Sequence, residues 1–224
     1  MSETQVEWSA TDVMGQGWEK LKSDFGGILG PLFVVGLIQG IPNGIFGAVA
    51  NNFQADGEPG LASGVRFVSW LVGLVLSAFF TGGTMSLLLK AVRGQPYAFG
   101  DIFSGGKWFG GMLVMLFVIQ VASGIGFMLC IIPGVIIALG LSFAVPIMVD
   151  RDLPAIDALK ESWRMTDGHK GNLFVFGLLA FCVMLLGLAA CCIGVLPAGA
   201  VVALAQVYIY ERLRGAGPIA PSVF

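Results

Sequence analysis

The sequence predicts an all-α integral membrane protein: six transmembrane helices in three hairpins, each preceded by a short amphipathic interfacial helix. Three observations carry that prediction. The chain is 56% hydrophobic and only 12% charged, with a mean hydropathy of +0.86, whereas a water-soluble domain has roughly a quarter of its residues charged. No Asp, Glu, Lys, Arg or His occurs between residues 109 and 149 or between 171 and 210. A run of that length is about 60 Å as one helix, twice the ~30 Å hydrocarbon core, so each run must fold back as a hairpin. The third observation is a recurrence. An aromatic residue stands eight positions before a glycine at Trp18/Gly26, Phe103/Gly111 and Trp163/Gly171, with Met14, Phe99 and Leu159 four positions earlier.

In chain order, Ser9 or Thr11 can cap a short helix whose Val13, Met14, Trp18, Leu21 and Phe25 recur on one face, which reads as interfacial. The polar first 25 residues show no basic start followed by an apolar core, so no cleaved signal peptide is expected. Span one runs from Gly26 to about Asn52. Ile41-Pro42-Asn43-Gly44 is expected to kink or unwind it. Residues 53–65 read as a polar loop, and span two runs from Phe67 to about Leu89. Residues 95–108 form a glycine-weakened interfacial segment. Span three covers Phe109 to about Met128, a tight turn follows at 129–132, and span four covers Pro133 to Val149.

Between Pro146 and Gly171 lies the one long charged interval separating the two uncharged blocks. Asp152 and Pro154 suggest a helix start, and Ile156, Leu159 and Trp163 fall at helical spacing. Spans five (Asn172–Ala190) and six (Pro197–Tyr210) enclose a turn at 191–196. The proline-rich end reads as a loose tail, residues 215–224. The whole, 1–224, is a single membrane domain with approximate repeats 8–94, 95–151 and 152–214. The exits of the even spans match as well: Lys90 to Arg93, Asp150-Arg151, and Glu211 to Arg214.

Eleven of the twelve Lys and Arg residues belong to one side of this topology, and Arg66 alone to the other. The positive-inside rule then puts both termini in the cytoplasm. The net charge of −2 is dispersed in short loops, so no nucleic-acid partner is expected.

No catalytic residues, cofactor site or metal site emerge. His169 is the sole histidine, the four cysteines lie in or beside apolar blocks, and no phosphate-cradling or nucleophile motif occurs. The chain reads as not an enzyme. The remaining candidates are of three kinds. Trp18, Phe103, Trp108 and Trp163 are expected interfacial anchors. Gly36, Gly40 and Gly44 form a small-residue ridge for helix packing, within the chain or against a second copy or a membrane protein partner. Gln39, Pro42, Asn43, Gln120 and Gln206 are the polar or helix-breaking residues from which a solute path would be built.

Ile132-Pro133-Gly134-Val135, Val149-Asp150-Arg151-Asp152-Leu153 and the stretch Ala155–Trp163 (AIDALKESW) resemble the membrane domain of some bacterial glycerophosphodiester phosphodiesterases. Related stand-alone six-span bacterial proteins of unknown function share these features. The likeness is clearest over residues 130–175. It implies a topology and a bacterial inner membrane, and it carries over no catalytic residue. The reading that follows is a non-enzymatic multi-pass protein in contact with membrane lipids, acting as scaffold, lipid-interacting module or partner subunit. The alternative is a channel or facilitator for a small neutral or weakly polar solute.

Overall fold

A computed structural model describes residues 9–129, 131–189 and 194–215. The chain is an all-α, multi-pass membrane protein, with five helical stretches among the described residues long and apolar enough to cross a bilayer. The helices are α1 (Ala10–Ser23), α2 (Phe25–Ala55), α3 (Pro59–Val92), α4 (Phe109–Leu129), α5 (Ile131–Gly140), α6 (Ala144–Arg151), α7 (Ala155–Thr166), α8 (Lys170–Ala189) and α9 (Val195–Leu213). A 3-10 segment, Phe99–Trp108, leads into α4. The tips expected at 129–132 and 191–196, Cys130, Cys191 and Cys192, and the tail beyond Gly215 lie wholly or partly outside the described residues.

The first hairpin departs from expectation at its loop, and its helix is not unwound at the proline. α2 continues through Pro42. The side-chain amide of Asn43 donates to the Gln39 carbonyl at 2.8 Å, supplying a donor beside the one the proline removes. The loop is only Asp56–Glu58, with Gly57 at φ +80. Pro59 starts α3 eight residues before the expected Phe67, since proline has the right φ for a first helical turn. At 31 and 34 residues, these helices are about 46 and 51 Å long and outreach a ~30 Å core.

Span four is also not one helix. It divides into α5 and α6 around Leu141–Phe143. Pro133 and Pro146 lie on either side of this break rather than in it.

α3, the α5–α6 stretch and α9 lie inside, and α2, α4 and α8 outside. Nearly half of the apolar stretch of α3 and of the fourth span is buried, but none of that of α2. Phe143, Ile147, Leu204 and Tyr210 are among the largest fully buried side chains. Leu178, Phe181 and Leu186 of α8 remain exposed, as lipid-facing residues do.

The three short segments pack on longer helices: α1 on α9, the 3-10 segment on α3, and α7 on the α5–α6 stretch. Gly17 of α1 meets α9 so closely that a Cβ would overlap the Val201 carbonyl. Val13, Met14 and Leu21 are buried while Trp18 and Phe25 are exposed. The apolar face of α1 is therefore divided between protein and surroundings. The 3-10 segment crosses α3 backbone to backbone: a Cβ on Gly83 would strike Ile102, and one on Gly105 would strike the Phe79 carbonyl. α7 sets Trp163 against Gly140 of α5 and buries Ala158, Leu159, Ser162 and Thr166. Ile156, expected on the same face as Leu159, is exposed.

Candidate functional site: a charged junction of three helix ends

The three matching exits meet in space. Arg93 follows the last turn of α3, Asp150 ends α6, and Tyr210, Glu211 and Arg214 end α9. Arg93 donates to Asp150 Oδ1 at 2.6 Å and to Glu211 Oε1 from two nitrogens, at 2.5 and 2.8 Å. The opposite oxygen of Asp150 accepts from the Tyr210 hydroxyl at 2.7 Å and from Arg214 at 2.5 Å. Both carboxylates are almost enclosed, with side-chain exposures of 7% for Asp150 and 4% for Glu211.

Each of these carboxylates sits at a helix C-terminus, where the helix dipole disfavours negative charge. Two guanidinium groups offset that cost and make the cluster neutral. Arginine suits the place because its planar fork can bridge two carboxylates at once. Burial would lower the Arg93 pKa, but hydrogen bonds to Asp150 and Glu211 and their charges outweigh it, and the pKa is raised. The junction is a fixed electrostatic clamp with every member partnered.

Further pairs surround it. Lys90 reaches Asp101 at 2.8 Å, and Arg151 reaches Glu161 at 3.2 Å. Asp152 has φ +54 and takes Lys107 at 3.0 Å and Trp108 Nε1 at 2.7 Å. It therefore clamps the 3-10 segment instead of capping α7, whose first-turn flank is Pro154 with no side-chain cap. Its pKa is lowered by the bonds from Lys107 and Trp108. The Tyr97 hydroxyl donates to Asp24. Burial first, and then that bond, push the Tyr97 pKa up.

The expected anchors differ in their surroundings. Trp18 is 48% exposed, with Lys22 over its ring at 5.7 Å. Phe103 is half-exposed and meets Phe80 edge-on. Lys107 lies 5.0 Å above Trp108, and Lys170 4.6 Å above Trp163. Trp163 is thus a packing residue on Gly140 as well as a partly exposed one. The His169 ring lies 3.3 Å from the nearby Asp167 carbonyl, and the Cys182 thiol is free and exposed.

Of the solute-path candidates, Gln39, Pro42 and Asn43 share one helix seam, while Gln120 and Gln206 are bonded elsewhere. Gln39 pairs with Ser77 at 3.5 Å and Asn43 with Ser69 at 3.2 Å, along the α2–α3 seam. Gln120 accepts from Trp70 between α3 and α4 at 2.9 Å. Gln206 donates to the Ser142 carbonyl in the break of span four at 2.7 Å. The glycine ridge is not used inside the chain. Gly36, Gly40 and Gly44 are exposed; a Cβ on Gly40 or Gly44 would meet nothing within 4 Å, and one on Gly36 only Leu196. Among the described residues, no three His, Cys, Asp or Glu side chains are grouped to hold a metal ion.

Sequence reasoning matched the three exits but did not foresee that they join, or that Tyr210 belongs with them. The signal was the coincidence of opposite charges at equivalent exits. It also missed Ser162 and Thr166, whose small hydroxyls look unremarkable on an amphipathic helix.

A model of the family of unknown function DUF7544 matches residues 49–216. The chain belongs to that family. The DUF7544 match takes in the junction, α7 and the even spans. The chain is also similar to Uncharacterized protein Rv2560 of Mycobacterium tuberculosis and Uncharacterized protein Mb2590 of Mycobacterium bovis. Each is 30% identical over 151 residues, which is 67% of this chain and 46% of the relative. This DUF7544 chain therefore spans about half the length of the curated relatives it matches. No solved structure matches it.

Proposed function

We propose that the chain is a non-enzymatic scaffold and lipid-interacting module of a bacterial inner membrane, with six spans and both termini in the cytoplasm. The observation that carries this reading is where the polar groups of the spans go. Gln39, Asn43, Gln120 and Gln206 are each hydrogen-bonded to a neighbouring span or its backbone. They serve as interhelical ties. The lipid role rests on the partly exposed Trp18 and Trp163, each with a lysine above the ring. An aromatic body with a cation at the water-facing edge suits the headgroup layer.

The six spans form three repeats in a cyclic arrangement. In support, α1 lies on α9, the 3-10 segment on α3 and α7 on the α5–α6 span. Each interfacial segment therefore packs on the even span of the repeat before it, and the first packs on the third. The even-span exits meet at the junction, as such a ring requires. Kinship with the membrane domain of the glycerophosphodiester phosphodiesterases is proposed on the AIDALKESW helix and its flanks.

The test is lipid retention by native mass spectrometry after mild detergent extraction. Trp18→Ala and Trp163→Ala should lower the number of retained phospholipids while the six-span core stays folded. Unchanged lipid retention in the double variant would remove the basis for the lipid role.

A further inference from the structure

The break in span four and the charged junction are two ends of one short helix. At the upper end, the backbone left without helical partners is taken by side chains of other elements. Ser162 donates to the Gly140 carbonyl at 2.8 Å and accepts the Phe143 N–H at 3.1 Å. Gln206 takes the Ser142 carbonyl. Ser162 is fully buried, and the Trp163 ring covers Gly140 so closely that no Cβ would fit there. At the lower end, Asp150 is held by Arg93, Tyr210 and Arg214.

α6 is thus an eight-residue half-helix on a non-helical joint, fastened by α7 at the joint and through Arg151–Glu161, and by the junction at Asp150. A continuous helix would transmit bending along its hydrogen bonds. The joint at Leu141–Phe143 frees α6 to turn as a unit once either fastening is released. The outer side of α7 carries exposed Ile156 and Lys160 and the partly exposed Trp163, the face available to the membrane surface.

We infer that α6 is a hinged gate: α7 is its clamp, and release of α7 swings Asp150 out of the junction and parts the ends of α3, α6 and α9. The two fastenings are then coupled, because each holds the same rigid piece. Burial of the α7 hydroxyls explains why the closed form is the one described. The gate does not require that the outer face of α7 retain lipid, so the loss of one reading leaves the other standing.

Hydrogen exchange of the full chain in nanodiscs of phosphatidylcholine and phosphatidylglycerol, read by mass spectrometry, tests this. The double variant Ser162→Ala/Thr166→Val, which loses the two Ser162 bonds and the longer one from Thr166 to the Gly140 carbonyl, should speed exchange over residues 141–151 by about tenfold or more. Exchange at Leu87–Leu89 of α3 should stay as in the parent. Asp150→Asn should speed the same 141–151 segment from the other end, and Tyr210→Phe should do so more mildly. Unchanged exchange in either the α7 or the Asp150 variant would show the two ends to be uncoupled and overturn the gate. Equal acceleration of α3 and α6 would mean general loosening and overturn it too.

Discussion

Replacing Arg93 by methionine removes the cation that joins two buried carboxylates from two different spans. In the parent, Arg93 gives one bond to Asp150 and two to Glu211. Without it, Asp150 keeps Tyr210 and Arg214, but Glu211 keeps only Arg214 at 3.7 Å. Breaking a buried pair by removing one partner costs about 3–5 kcal/mol, because the other charge is left enclosed. The Arg93 side chain is 24% exposed, so water can partly replace it, and the expected loss is about 3 kcal/mol, at the lower end of that range. Arg93→Lys keeps the charge and loses the fork, so it should fall between parent and methionine. Reversible unfolding in mixed detergent micelles, followed by tryptophan fluorescence, reads these differences. A cycle with Asp150→Asn should give a coupling of about 1–3 kcal/mol. For comparison, Lys160→Ala breaks an exposed pair at 3.9 Å and should cost under about 0.5 kcal/mol. If Arg93→Met were as mild as Lys160→Ala, the junction would not hold the even spans together.

Four further outcomes follow from the same contacts. Gly83→Ala would press a Cβ into the Ile102 backbone and should destabilise the fold by about 1–3 kcal/mol; Gly60→Ala, in open space, should not, as paired melts would show. Gly40→Leu should leave the stability of a single chain unchanged, since nothing stands within 4 Å; a change in oligomer mass by light scattering would reveal the ridge as a contact between copies, and loss of single-chain stability would contradict the open ridge. The lowered Asp152 pKa means that its clamp on Lys107 and Trp108 is fully present above the ordinary carboxylate value of about 3.9. The clamp is lost as pH falls through the lowered value, so Trp108 emission should be flat from neutral to about pH 4 and shift only below it. The raised Tyr97 pKa works in the other direction: its bond to Asp24 contributes fully below the ordinary tyrosine value of about 10 and is lost as pH rises through the folded one. Tyr97→Phe should therefore match the parent only at strongly alkaline pH, in stability measured across a pH series.

The outlines of this fold are written in its charges, but its joints are not. Two uncharged blocks of about forty residues located four of the long apolar segments, since length and charge alone decide what can lie in hydrocarbon. Proline and polarity were poorer guides. Pro42 was expected to kink or unwind span one; the helix is not unwound there, and the Asn43 amide donates to the Gln39 carbonyl. Span four breaks at Leu141–Phe143, where Pro146 removes the N–H that would bond the Ser142 carbonyl and Ser162 and Gln206 give the freed backbone its partners. Those partners come from α7 and α9, so no local reading of span four could find them. The polar stretch 53–65 was read as loop because α3 begins with exposed, weakly apolar turns. For the site, the shared charged exits were visible, but that Arg93, Asp150 and Glu211 meet depends on how three helices pack. The anchors stood out as aromatic residues, while the contact of Trp163 with Gly140 was hidden in the tertiary structure.

The scaffold reading is tested most directly by solute flux through the purified protein in liposomes. Stopped-flow light scattering with small neutral solutes such as glycerol and urea should give the rate of empty liposomes, for the parent and for Asn43→Leu alike. A parent flux well above the empty control that disappears in Asn43→Leu would contradict that reading and make the polar seam of the first hairpin a path rather than a tie.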